Sequence, residues 1–214
     1  MQPGPDEIRA CPDCGKPFRT HTMLSGNTFG ARYWSDGKCD APMLPNYPSV
    51  GHCPHCRSIL WVEDASMIGD EDWSMRQGPE SPWREARELM PLDAACYRAA
   101  IERNSDGKRE RLLRVRCWQQ ANDAHRRAES MEDSAEPLAD EDRANLQALL
   151  GLLKEEASAS ERLMKAEVFR ELGQYREALW LLSDGTDEVS WAASQILAMA
   201  QVGVSRVFEL RTNE

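Results

Sequence analysis

Two short segments carry residues whose types and spacing could do chemistry: Cys11-Pro12-Asp13-Cys14-Gly15-Lys16 and Cys53-Pro54-His55-Cys56-Arg57. Two cysteines separated by two residues lie on one tight turn with both sulfurs aimed at the same point, and two such turns complete the tetrahedral shell that zinc takes. Proline after the first cysteine stiffens each turn. Gly15 accepts the positive φ that lets backbone N–H groups face thiolate sulfur, whereas Arg57 stands in that place in the second turn. Cys11, Cys14, Cys53 and Cys56 are therefore the expected ligands of one structural Zn2+, with 38 residues looping between the pairs.

Other donors lie nearby. His52 and His55 are held close to the second pair by the chain, and Cys39 and His21 fall within the same region. A closed four-thiolate shell leaves them no coordination position, so solvent-facing or outer roles are expected. A catalytic zinc would keep one site open for water and would usually include His or carboxylate ligands. No catalytic constellation is evident elsewhere, and a non-enzymatic protein is expected. Cys96 and Cys117 fall in helical patterns and are expected to pack as small apolar groups.

Several elements must position these groups. Between residues 11 and 62, aromatic and β-branched residues alternate with turn signals such as Ser25-Gly26-Asn27 and Asp36-Gly37. Strands are expected over Phe18–Leu24, over Phe29–Ser35 returning through Asp36-Gly37 into Lys38–Asp40, and over Ser58–Glu63. Pro42, Pro45 and Pro48 exclude a ladder before Val50. Phe29, Tyr33, Trp34, Tyr47 and Trp61 could form a miniature core or an exposed recognition face, and the core is expected for most of them.

The chain from Asp64 to Ser81 is acidic and loop-like, and a linker is expected over 64–81 between a zinc domain (1–63) and a helical domain (82–214). From there the hydrophobic period becomes about 3.6. Ser81-Pro82 predicts a short helix from Trp83 to Met90, and Asp93 predicts a cap for one reaching Arg103. Further helices are expected over about Lys108–Ala128, after Asp140, after Ser160, from Tyr175, and from about Asp187 to Val202. A terminal turn is expected around Ser205–Leu210.

Residues 11–62, through their four cysteines, resemble a zinc ribbon built of two knuckles on neighbouring hairpins. Residues 160–182 resemble one tetratricopeptide unit, through Ala166, Phe169, Gly173, Tyr175, Ala178 and Leu182. The resemblance implies helix hairpins that hold peptides or protein partners. One unit cannot stack alone, and no 34-residue repeat continues from it. The combination resembles bacterial proteins that join such a ribbon to such helices. The fold class expected is thus a zinc-stapled β domain followed by an all-α domain.

The net charge of −10 argues against general nucleic-acid affinity, since phosphate binding rests on Lys and Arg. One basic stretch, Lys108 to Arg116, stands against this, and aromatic residues in the ribbon could stack bases, so a nucleic-acid-binding ribbon is the alternative function. The leading expectation is an adaptor for an unidentified protein partner. A remote alternative is thiol redox chemistry, since Cys53-Pro54-His55-Cys56 is similar to a disulfide-exchange motif of thioredoxin-like enzymes. With no signal-peptide pattern and no long apolar run, a cytoplasmic protein without membrane contact is expected.

Overall fold

A computed structural model describes residues 1–75, 81–104, 106–126, 138–154, 158–183 and 190–212. The chain divides into two compact units, but not where composition changes. Unit 1 comprises residues 1–31 and 40–92, and unit 2 comprises residues 32–39 and 93–214.

Unit 1 is built on a four-stranded sheet with the order β10-β3-β2-β9, from β2 (Asp6–Ala10), β3 (Pro17–Thr20), β9 (Met67–Glu71) and β10 (Arg87–Glu88). Strand β10 runs parallel to β3, and the other neighbours are antiparallel. Period two along β2 turns Asp6 and Ile8 inward, where Ile8 and Phe18 of β3 are fully buried. Two small ladders complete the unit: β1 (Gln2–Pro3) with β4 (Met23–Ser25), and β7 (Val50–His52) with β8 (Ile59–Trp61). The Pro-rich stretch ends, as expected, where β7 begins at Val50.

The expected linker therefore contains a strand of the sheet, β9, over Met67–Glu71. β9 pairs with β2 from Asp6–Glu71 to Arg9–Met67. Arg19 reaches across the buried face to Asp6 and Glu71, at 2.7 Å each, and Ser81 donates to Glu71. One acid of this run serves the interior: Glu71 answers a buried guanidinium, while Asp70 and Asp72 are exposed, and composition alone cannot distinguish the two roles. The expected helix over Trp83–Met90 is likewise absent. Leu89 N–H donates to Arg19 O beside β10, and Met90 exchanges two hydrogen bonds with His52. The unit boundary falls at Leu92–Asp93, and residues 76–80 of the expected linker lie outside the described residues.

The aromatic miniature core is also not formed. The core around the cysteines is Phe18, Leu60, Ala65 and Leu89 packed on Cys11 and Cys53. Phe29 is 85 % exposed, Tyr47 and Trp61 are half-buried, and Tyr33 and Trp34 belong to unit 2.

Unit 2 is helical. Its described helices are α1 (Ala94–Arg103), α2 (Gly107–Arg126), α3 (Asp140–Leu152), α4 (Ala159–Glu171), α5 (Tyr175–Leu182) and α6 (Ser190–Gln201). Asp93 caps α1 by accepting from Cys96 N at 2.8 Å, and Asp106 accepts from Lys108 N at the start of α2. Ser158, rather than Ser160, caps α4, and Asp140 is the first residue of α3 rather than its cap. Trp118, Leu146, Leu149, Val168 and Leu172 form the main core of α2, α3 and α4. Gly173, at φ 77°, lets α4 turn back into α5. No described helix is long and apolar enough to cross a membrane.

Strand β5 (Arg32–Trp34) turns at Asp36-Gly37 into β6 (Cys39–Asp40) and pairs with β11 (Glu209–Leu210), giving the order β11-β5-β6. The expected terminal turn is thus a strand that pairs with a segment from the loop between the two cysteine pairs. Trp34, Ser35 and Asp36 are all buried in this unit.

Candidate metal centre

The two cysteine turns are built alike. Cys11 N–H donates to Lys16 O and Gly15 N–H to Cys11 O in the first; Cys53 N–H donates to Ser58 O and Arg57 N–H to Cys53 O in the second, all at 2.9–3.0 Å. Gly15 has φ 70° and Arg57 has φ 65°, so both turns use the left-handed region at the residue after the second cysteine. The arginine that broke the sequence parallel does not break the geometry.

These turns bring together all four expected ligands. The Sγ atoms of Cys11, Cys14, Cys53 and Cys56 lie within 4.8 Å of one another. Cys11–Cys56 and Cys14–Cys53 are each 3.8 Å apart. A tetrahedron with Zn–S bonds of about 2.3 Å has edges of about 3.8 Å, whereas a disulfide holds its sulfurs at about 2.05 Å. The donor set and its spacing fit a metal ion. Cys11 and Cys53 are buried on the core side, while Cys56 faces outward.

The sulfurs differ in environment. Burial pushes the Cys53 thiol up to about 12, and the hydrogen bond from Ser58 holds Cys56 down to about 6. Ser58 Oγ is 3.0 Å from Cys56 Sγ and 3.8 Å from Cys11 Sγ. Ser58 is not among the sequence-based candidates, because a hydroxyl two residues beyond the last cysteine carries no distinctive signal. A cation would share its charge among all four sulfurs and favour their thiolate forms together.

The spare donors do not join the cluster. His55 N–H donates to Cys53 Sγ at 3.4 Å, and its ring Nε2 is 2.9 Å from Pro17 O, which ties the second turn to the start of β3. His52 Nδ1 is 2.8 Å from Arg57 O. His21 Nδ1 is 2.6 Å from Asp6 Oδ1. Cys39 is exposed and belongs to the other unit.

The Cys53-Pro54-His55-Cys56 turn lies between β7 and β8, which pair with each other, so a strand follows it where a thioredoxin-like site needs a helix. In the basic stretch, Arg111 pairs with Glu161 at 2.5 Å and Arg114 with Glu110 at 2.7 Å, which neutralises part of that face within the unit itself.

No protein-family model, curated protein or solved structure matches the chain.

Proposed function

We propose that this chain is a non-enzymatic zinc-binding adaptor, in which one Zn2+ on Cys11, Cys14, Cys53 and Cys56 staples a ribbon-like β unit and the helical unit receives a protein partner. The observation that carries the reading is the tetrad of four thiols within 4.8 Å of one another, with two opposite edges of 3.8 Å. Four sulfurs complete a tetrahedral shell and leave no position for water or substrate, which is the structural rather than the catalytic arrangement. Zinc suits this set better than harder cations because thiolates are soft donors. The open thiols suit a reducing, cytoplasmic setting.

The partner-binding part of the proposal rests on the α4–α5 hairpin. Ala166 and Ala178 are fully buried where the helices approach, and Gly173 takes the left-handed turn, in keeping with a tetratricopeptide-like pair. A cavity of about 320 Å³ opens on this hairpin among Lys165, Phe169, Arg176, Glu177, Trp180 and Leu181, with Trp180 69 % exposed. An exposed tryptophan beside apolar walls is the usual anchor of a protein interface.

The test is isolation of the intact protein under mild crosslinking, in parallel with Trp180→Ala. A defined partner recovered in stoichiometric amount by the wild type and lost by the variant supports the proposal. Clean isolation without a partner, or equal recovery by both, contradicts it.

A further inference from the structure

The loop between the two cysteine pairs leaves unit 1 at Ala31, contributes residues 32–39 to unit 2, and re-enters unit 1 at Asp40. These eight residues form a strap built into the helical core. Ser35 N–H donates to Phe208 O at 2.9 Å, and Phe208 N–H to Ser35 Oγ at 3.2 Å. Asp36 is 1 % exposed; its carboxylate accepts from Asn122 at 3.0 Å and pairs with Arg126, and its backbone carbonyl accepts from Gln119. The Arg126 guanidinium also lies over the Trp34 ring, 5.3 Å from its centroid. Without the strap, α2 would keep Arg126 buried with Asp123 as its remaining carboxylate and the fully buried partner Asp36 removed, a costly arrangement.

The tetrad lies on the chain paths that lead to this strap. On its far side, Met90 and His52 exchange backbone hydrogen bonds at 2.8 and 3.1 Å, and His52 immediately precedes the ligand Cys53. Along the sequence, Asp40 lies 53 residues before Asp93, the cap of α1. Through the His52–Met90 bridge the path is 12 residues to His52 and 3 from Met90. On the near side, Asn27 N–H donates to Met43 O at 3.3 Å and closes the stem of the loop. The effective concentration of a tethered segment falls as about the 3/2 power of loop length, so shortening the path about threefold raises the local concentration of the strap about fivefold.

We propose that metal occupancy of the cysteine tetrad sets the stability of the helical unit through the strap 32–39, so that the metal centre acts as a conformational control on that unit. This rests on the reading of the tetrad as a metal centre. Metal loss opens the turn at Cys53, releases the His52–Met90 bridge, lengthens the tether and weakens the seating of Trp34 and Asp36 on α2.

The test uses the full chain with zinc bound, and hydrogen exchange of peptides covering residues 117–126 before and after removal of zinc by a chelator, with zinc content measured on the same samples. The expected result is exchange about fivefold faster in α2 once zinc is gone. In Asp36→Ala, α2 exchanges fast at the outset and chelation adds little; Lys38→Ala, which removes the 2.6 Å ion pair to Asp123, is the milder variant with the same expectation in smaller degree. Loss of zinc with faster exchange in unit 1 and unchanged exchange in α2 overturns the coupling alone. A chain that neither carries nor takes up zinc overturns the metal centre and the coupling together, and the metal analysis tells the two failures apart.

Discussion

Arg57 occupies, at φ 65°, the place in the second cysteine turn that Gly15 occupies at φ 70° in the first. A side chain in the left-handed region costs roughly 1 kcal/mol, so the second turn is held in its conformation by what surrounds it: the ladder of β7 with β8 and the closure of the sulfur cluster. Arg57→Gly should therefore stabilise the protein by roughly 0.5 kcal/mol, the strain relief being partly offset by the greater entropy of glycine in the unfolded chain. Gly15→Ala should cost about 1 kcal/mol, from conformation alone, because nothing lies within 4 Å of the added Cβ. Urea denaturation of the two variants checks both signs. A destabilised Arg57→Gly would show that the arginine side chain, not its backbone, matters at that position.

Gly69 provides a test of the unit boundary. It lies in β9 opposite Ile8, and a Cβ added there would stand 2.3 Å from the Trp83 ring. Gly69→Ala should destabilise unit 1 by about 2 kcal/mol through overpacking. In a solvated linker the same change would be neutral or slightly stabilising, so an unchanged denaturation midpoint would restore the linker reading.

What was legible in the sequence was local. The spacing of Cys11 with Cys14 and of Cys53 with Cys56 fixes each turn within four residues, and the helices from Ala94 to Gln201 follow from short-range periodicity and caps such as Asp93. What was not legible depended on distant partners. β2, β9 and β10 are short strands whose identity rests on pairing across tens of residues, and the acidic character of 70–72 concealed that Glu71 faces Arg19. From the sequence, the aromatic segment around Trp34 is expected in the miniature core of the cysteine domain. Its true setting, among α2 and β11, rests on Asn122, Arg126 and Phe208, which no local pattern connects to it. At the metal centre, the ligands were readable, while Ser58 was not, because one hydroxyl beside a cysteine turn carries no distinctive signal.

The helical unit contains a second buried charge device with a measurable pH consequence. Glu171 accepts from Trp118 Nε1 at 2.8 Å and from Asn122 Nδ2 at 3.1 Å. Burial, with the charge of Glu167 nearby, pushes its carboxyl well above the usual carboxylate range. Its folded pKa thus exceeds its unfolded value, so the native protein keeps a proton that the unfolded chain releases. The associated stability is fully present below the ordinary carboxylate pKa and is lost as pH rises through the raised one. Glu171→Gln copies the protonated shape without titrating, so it should cost most at about pH 5 and least at about pH 8. Denaturation midpoints across that interval check the trend, and parallel curves for variant and wild type would refute it.

Glu167 and Arg170 form a fully buried pair on one turn of α4, with contacts of 2.5 and 2.7 Å, and Arg170 also donates to the carbonyls of Val204 and Arg206. Removing only the carboxylate leaves a buried guanidinium without its charge partner. Glu167→Ala should cost about 3 kcal/mol or more, whereas the surface pair Arg32–Glu209 should cost under about 1 kcal/mol when broken by Glu209→Ala. Comparable losses in thermal denaturation of the two variants would contradict the assignment of Arg170 to the interior.

The most direct measurement is the metal content of the intact protein purified without added metal, for wild type, Cys56→Ser and Cys39→Ser. About one zinc per chain is expected in the wild type and in Cys39→Ser, strong loss in Cys56→Ser, and thiols of the tetrad that react only after chelation. A wild-type protein with under about 0.1 zinc per chain, no uptake on titration and four freely reactive thiols would contradict the metal centre.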